Sequence, residues 1–145
     1  MTFLSPIQIK SFANQGYVIL DEVLSASELQ LLNQEFDHLL KSQAFDKAQV
    51  AASPSQELIR GDWTFWLDEK SPPTFRKVFS SLKTWSLLLN ENFYCGTTEL
   101  EAHLAYYPAG PGYQKHWDQA TGCSRRKISL VLYLNSNWPI NTKCS

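Results

Sequence analysis

Leu100-Glu101-Ala102-His103-Leu104-Ala105-Tyr106-Tyr107 is the stretch that decides the fold class. Leu100, Ala102, Leu104 and Tyr106 alternate with Glu99, Glu101, His103, Ala105 and Tyr107, a period of two that belongs to an extended strand with one apolar face. A second run, Lys127 to Leu134, sets Ile128, Leu130, Leu132 and Leu134 against Lys127, Ser129, Val131 and Tyr133. Upstream the long apolar patterns have helical spacing instead. Ser5, Pro6 and Gln8 form a capping box and first turn, with Gly16 as the stop. Ser25 and Glu28 form a second box ahead of Leu29, Leu32, Phe36, Leu39 and Leu40, a stripe that fades by Ser42. Pro72 and Pro73 open a third helix with Phe75, Val78, Phe79, Leu82, Trp85 and Leu89 on one side. Helices first and strands afterwards predict an α+β chain, with the helices packed outside a sheet.

Between these elements, Tyr17 to Leu20 and Glu57 to Trp66 have strand chemistry, and residues 43–56 read as a low-order connection. The 145 residues suit one domain. Thirteen basic against 14 acidic side chains give a net charge of −1, which argues against a nucleic-acid partner because no basic surplus exists to neutralise phosphates. The longest apolar run is Leu130 to Leu134, whereas a membrane span needs roughly 20 residues, so no membrane association is expected. The N-terminus has neither a basic nor an apolar signal region. Cys95, Cys123 and Cys144 are an odd, widely spaced set, read as free thiols in a reducing cytoplasm.

The chemistry concentrates in Tyr113-Gln114-Lys115-His116-Trp117-Asp118. In an extended chain, residues two apart point the same way, so His116 and Asp118 can reach one point. An imidazole nitrogen and a carboxylate oxygen are two of the three ligands of a facial triad for Fe(II).

The surrounding pattern carries more: Tyr107-Pro108, a Gly-rich turn, Gly112-Tyr113-x-x-His116-x-Asp118, Arg126-x-Ile128 and Tyr133-Leu134-Asn135-x-x-Trp138. It resembles the iron(II)- and 2-oxoglutarate-dependent dioxygenases of the prolyl 4-hydroxylase class. With Leu58-Ile59-Arg60-Gly61-Asp62 it is most similar to the hypoxia-inducible-factor prolyl hydroxylase branch and its bacterial relatives. The resemblance spans about Phe12 to Trp138 and is densest from Tyr106 onward. It implies N-terminal helices packed on a double-stranded β-helix, with residues 1–95 as helix-rich support carrying early strands and 96–138 as the first part of the jelly-roll core. It implies Fe(II) held by His116 and Asp118, with 2-oxoglutarate as cosubstrate and ascorbate as a further small molecule. Tyr107 would lie beside metal and cosubstrate, Tyr133 would reach the distal carboxylate of 2-oxoglutarate, and Arg60, Asp62 and Arg126 would line the substrate side. A peptide or protein substrate hydroxylated at a prolyl or related side chain follows from the same resemblance.

The family pattern continues to a second histidine and a basic residue that pairs with 2-oxoglutarate; Pro139 to Ser145 contains neither in matching context, and no histidine follows His116. The expectation is therefore an incomplete jelly roll, truncated at its C-terminus and without normal turnover. Its open strand edges at Lys127 to Leu134 would invite self-association. His103 shares a strand face with Tyr107, but nothing in the pattern puts it among the ligands. Two other readings stand beside the oxygenase. One is a catalytically inactive fragment or interaction module that binds a partner strand. The other is a ligand- or carbohydrate-binding β-domain that stacks on Trp63, Trp66, Trp117 and Trp138.

Overall fold

A computed structural model describes residues 4–48, 61–108 and 126–135. Helix α1 (Pro6–Gln15) begins at the first capping box. Ser5 Oγ accepts from the Gln8 N–H at 3.4 Å and Gln8 Oε1 accepts from the Ser5 N–H at 2.8 Å. Gly16 ends it at φ 76°, the left-handed conformation that glycine adopts without steric cost.

Helix α2 (Ala26–Lys41) repeats the device with Ser25 and Glu28. Glu28 Oε2 accepts from the Ser25 N–H and hydroxyl, each at 2.8 Å. The backbone bond first, and then the hydroxyl bond, hold the Glu28 carboxyl below the usual range. Past the Ser42 cap, Gln43 takes φ 56°. The Ala44 N–H then bonds the Leu39 carbonyl and the Gln43 N–H the Leu40 carbonyl, both at 3.1 Å, a Schellman closure.

Helix α3 (Pro73–Phe93) has Pro72 at its N-cap, which offers no side-chain acceptor. The acceptor comes from α2: Glu35 Oε1 receives the Thr74 N–H at 3.3 Å and the Thr74 hydroxyl at 2.9 Å. A carboxylate at a helix N-terminus is also favoured by the helix dipole. In the turn before α3, Asp68 Oδ1 accepts from the Lys70 N–H at 2.8 Å, which lowers the Asp68 pKa.

Three short strands, β1 (Asp46–Lys47), β2 (Trp63–Trp66) and β3 (His103–Tyr106), form an antiparallel sheet in the order β1-β2-β3. Lys47 pairs with Trp63, Trp63 with Tyr106, Phe65 with Leu104, and Trp66 with His103. Bonds from Ala48 N–H to Asp62 O at 3.0 Å and from Leu67 N–H to Ala102 O at 2.9 Å continue both ladders beyond their ends. Phe65, Leu67 and Leu104 share the face that meets the helices. There they join Leu32 and Leu39 of α2, Phe75 of α3 and Phe45 in one core, with Phe36 edge-on to both Phe45 and Tyr106.

Several sequence expectations need correction. Tyr17 to Leu20 is not a strand: no described strand pairs with it, and Tyr17 and Ile19 stand 60% and 76% exposed. Residues 43–48 are not low-order, since Phe45 is buried and β1 follows; the rest of that connection, 49–56, lies outside the described residues. The strand read from the alternation that begins at Glu99 starts only at His103. The Thr97 backbone is occupied instead by α3, with its N–H on Asn90 Oδ1 at 2.8 Å and its carbonyl on Asn90 Nδ2 at 2.7 Å. Lys127 to Leu134 forms no ladder with a described strand. It keeps part of its alternation, with Ile128, Leu132 and Leu134 half-buried and Ser129, Val131 and Tyr133 exposed. No helix among the described residues is long and apolar enough to cross a membrane.

Candidate functional site

The two faces of the sheet differ in chemistry. Period two places Trp63 and Phe65 toward the helices, and Asp62, Thr64 and Trp66 on the opposite face. Thr64 lies between Asp46 and Ala105, and Trp66 faces His103. Continued by one residue, the β2–β3 register sets Asp62 opposite Tyr107. The face turned away from α2 and α3 therefore carries Asp46, Asp62, Thr64, Trp66, His103 and Tyr107, a polar and aromatic set backing onto a hydrocarbon core.

Burial divides this face. Asp62 is 0% exposed and Thr64 7%, whereas Tyr107 is 48% and Trp66 56% exposed. A fully buried carboxylate and a buried hydroxyl beside accessible aromatic rings form a floor with a few fixed polar groups, the usual composition of a small-molecule site. The Trp66 and His103 rings approach to 4.9 Å between centroids at an interplanar angle of 50°, so each limits the other's rotamers.

Of the residues singled out from sequence, Asp62 and Tyr107 are thus brought together at one end of β2 and β3. Tyr133 and Arg126 lie on the 126–135 segment, both exposed. Leu134 of that segment packs against the core, and its carbonyl accepts from Asn33 Nδ2 of α2 at 3.0 Å. Arg60, His116 and Asp118 lie outside the described residues, as do Trp117, Trp138, Cys123 and Cys144. Among the described residues no group of three or more His, Cys, Asp and Glu side chains could hold a metal. Trp63 and Trp66 occupy opposite faces of β2, so they cannot form one stacking surface. Thr64 and Asp46 were not foreseen as site residues. The signal was the single period-two segment Asp62-Trp63-Thr64-Phe65-Trp66, which fixes the companions of Asp62 once Phe65 is assigned inward.

No protein-family model and no curated protein matches the chain.

Proposed function

We propose that the chain is an iron(II)- and 2-oxoglutarate-dependent oxygenase domain acting on a prolyl or related peptide side chain. The observation that supports this reading is that buried Asp62 and half-exposed Tyr107 each lie one residue beyond the Trp63–Tyr106 pair, at the same end of β2 and β3. Eight residues of chain lie between Tyr107 and His116. The donor chemistry fits the metal, since imidazole and carboxylate are the ligand types of the facial iron(II) triad, with His116 and Asp118 supplying two of its three ligands. Bound there, iron supplies the activation of oxygen that protein side chains cannot perform. The chain's own part is binding and orientation. The Tyr107 hydroxyl is an acceptor and donor for the cosubstrate, and the Tyr133 hydroxyl a donor to its distal carboxylate. Asp62 and Arg126 border the substrate side together with Arg60. The low-dielectric floor of Phe65 and Leu104 behind Asp62 strengthens every polar contact made above it.

Anaerobic iron(II) titration of the 145-residue chain, with and without 2-oxoglutarate, tests this directly. The expected result is metal binding that tightens with 2-oxoglutarate and is lost in His116→Ala and Asp118→Ala. Absence of metal binding in the folded parent chain would reject it. A second reading, a non-catalytic interaction module, is favoured by one observation: Leu130, Val131 and Tyr133 are 46%, 72% and 68% exposed within four residues of one segment. Concentration-dependent self-association without iron binding is its signature.

A further inference from the structure

Helix α1 is capped from within and buried nowhere. The Ser5–Gln8 box closes its start, and at its end the Gly16 N–H bonds the Phe12 carbonyl at 2.9 Å, so neither cap borrows a group from another element. None of its ten residues is buried, and Ile7 is 82% exposed. No α1 side chain belongs to the core of Leu32, Leu39, Phe45, Phe75 and Leu104 or packs against it; coming from the N-terminal side, Leu24 is the first described residue that does. The docking contact lies on the C-terminal half of α3 instead. Phe12 and Phe93 meet edge-on with ring centroids 5.0 Å apart, and Leu4 shares with Trp85, Leu88, Leu89 and Phe93 the lining of a cavity of about 20 Å³. A gap in an apolar contact forfeits dispersion attraction that a closed one would gain.

We propose that α1 is a strap that opens and closes as one unit: it leaves α3 and loses its helix together, while α2, α3 and the sheet stay folded. The length of the helix couples the two events, because a helix of ten residues is marginal by itself in water. The chain behind it offers little hold, with Tyr17 and Ile19 exposed and paired with no described strand. Segments with few buried apolar contacts are the ones that open below the global free energy of unfolding. Opening uncovers the apolar side of α3 that carries Trp85, Leu88, Leu89 and Phe93, and involves none of the residues assigned to iron or 2-oxoglutarate.

Native-state hydrogen exchange on the full 145-residue chain, in urea too dilute to unfold it, tests the strap. Amides from Ile9 to Gln15 should share one opening and exchange at least about tenfold faster than those of Leu32 to Leu39, after correction for intrinsic rates. Phe12→Ala should speed exchange in α1 alone. Gly16→Ala is a second variant outside any packing: its Cβ would meet nothing within 4 Å, yet at φ 76° it strains the cap. It should accelerate exchange in α1 by roughly 5- to 30-fold and leave Leu32 to Leu39 unchanged. Protection in α1 equal to that of α2, or equal acceleration of α2 by either variant, would make α1 part of the global unit and overturn the proposal. Exchange that rises smoothly toward the ends of α1, without a shared opening, would mean simple fraying and overturn it as well.

Discussion

Asn33 Nδ2, on α2, donates to the carbonyl oxygen of Leu134 at 3.0 Å, across 101 positions of sequence. Leu134 also packs against the core formed by α2, α3 and the sheet. The 126–135 segment is therefore held at this end by the Asn33 bond and by the half-buried Leu134 side chain, with no ladder to a described strand. Asn33→Ala removes the bond and leaves the carbonyl part-buried. The expected loss is about 0.5–1.5 kcal/mol in denaturant unfolding. Amide exchange should accelerate at Leu132 to Asn135 and stay unchanged within α2. Equal acceleration in both regions would mean that Asn33 supports the helix itself and not the anchored segment.

What was legible in the sequence, and what was not, follows the range of the interaction. Ser5 with Gln8 and Ser25 with Glu28 form their caps within four residues, so residue type and spacing determine them. The stripes of α2 and α3 were readable for the same reason, because a helix needs no distant partner to show its periodicity. Strands do need one. Tyr17 to Leu20 and Lys127 to Leu134 have strand composition, yet pairing depends on what lies alongside, which no local pattern encodes. The Glu35 cap on Thr74 was likewise invisible, since the acceptor comes from 39 residues away. At the candidate site, the pattern identified Asp62 and Tyr107 individually; only the register of β2 on β3 brings them together.

Helix α3 depends on that borrowed cap. Glu35→Ala takes away the acceptor of both Thr74 donors and should destabilise the chain by about 1–2 kcal/mol, as loss of a helix N-cap does. Thr74→Val removes only the hydroxyl bond and should cost less. Chemical denaturation of both single variants and the double variant checks this. Additive losses would show that the two groups do not act as a pair.

Acid should weaken the start of α2. Hydrogen bonds from Ser25 depress the folded-state pKa of Glu28, so the unfolded chain binds this proton more readily. The Glu28 contribution is complete above the ordinary glutamate value of about 4.3 and fades as pH falls through the depressed value. Asp68, also depressed, acts in the same direction just ahead of α3. Helical circular dichroism followed from neutral pH downward should fall less in Glu28→Gln than in the parent, because glutamine completes a capping box without titrating. Parallel acid profiles would assign the loss to other groups.

Two left-handed residues offer a gain in stability. Gln43 at φ 56° and Tyr94 at φ 52° close α2 and α3 in a conformation that strains any residue with a Cβ. Tyr94 is 91% exposed, so little packing is lost with its ring. Gln43→Gly and Tyr94→Gly should each stabilise by about 0.5–1 kcal/mol, the relief of strain exceeding the extra chain entropy of glycine. Thermal melts of the two variants decide it; a lowered Tm for Tyr94→Gly would show that the exposed ring makes a contact worth more than the strain.

The proposed oxygenase role separates binding from folding at the Asp62–Tyr107 pair. Tyr107 is 48% exposed, so Tyr107→Phe keeps the ring and removes one hydroxyl, and the thermal transition should shift by no more than the loss of a single hydrogen bond, about 0.5–1.5 kcal/mol. If that hydroxyl bonds a charged 2-oxoglutarate, the loss is about 1.5–3 kcal/mol, which raises the Kd for 2-oxoglutarate by tenfold or more. Asp62, with 0% exposure, should behave oppositely. Asp62→Ala deletes a fully buried carboxylate and leaves the groups around it without their acceptor, so stability falls by about 1–3 kcal/mol before any effect on ligand can be read. Equilibrium dialysis of 2-oxoglutarate with iron(II) present, paired with thermal melts, reads both axes. A Tyr107→Phe variant with unchanged Kd would remove Tyr107 from the proposed cosubstrate contact.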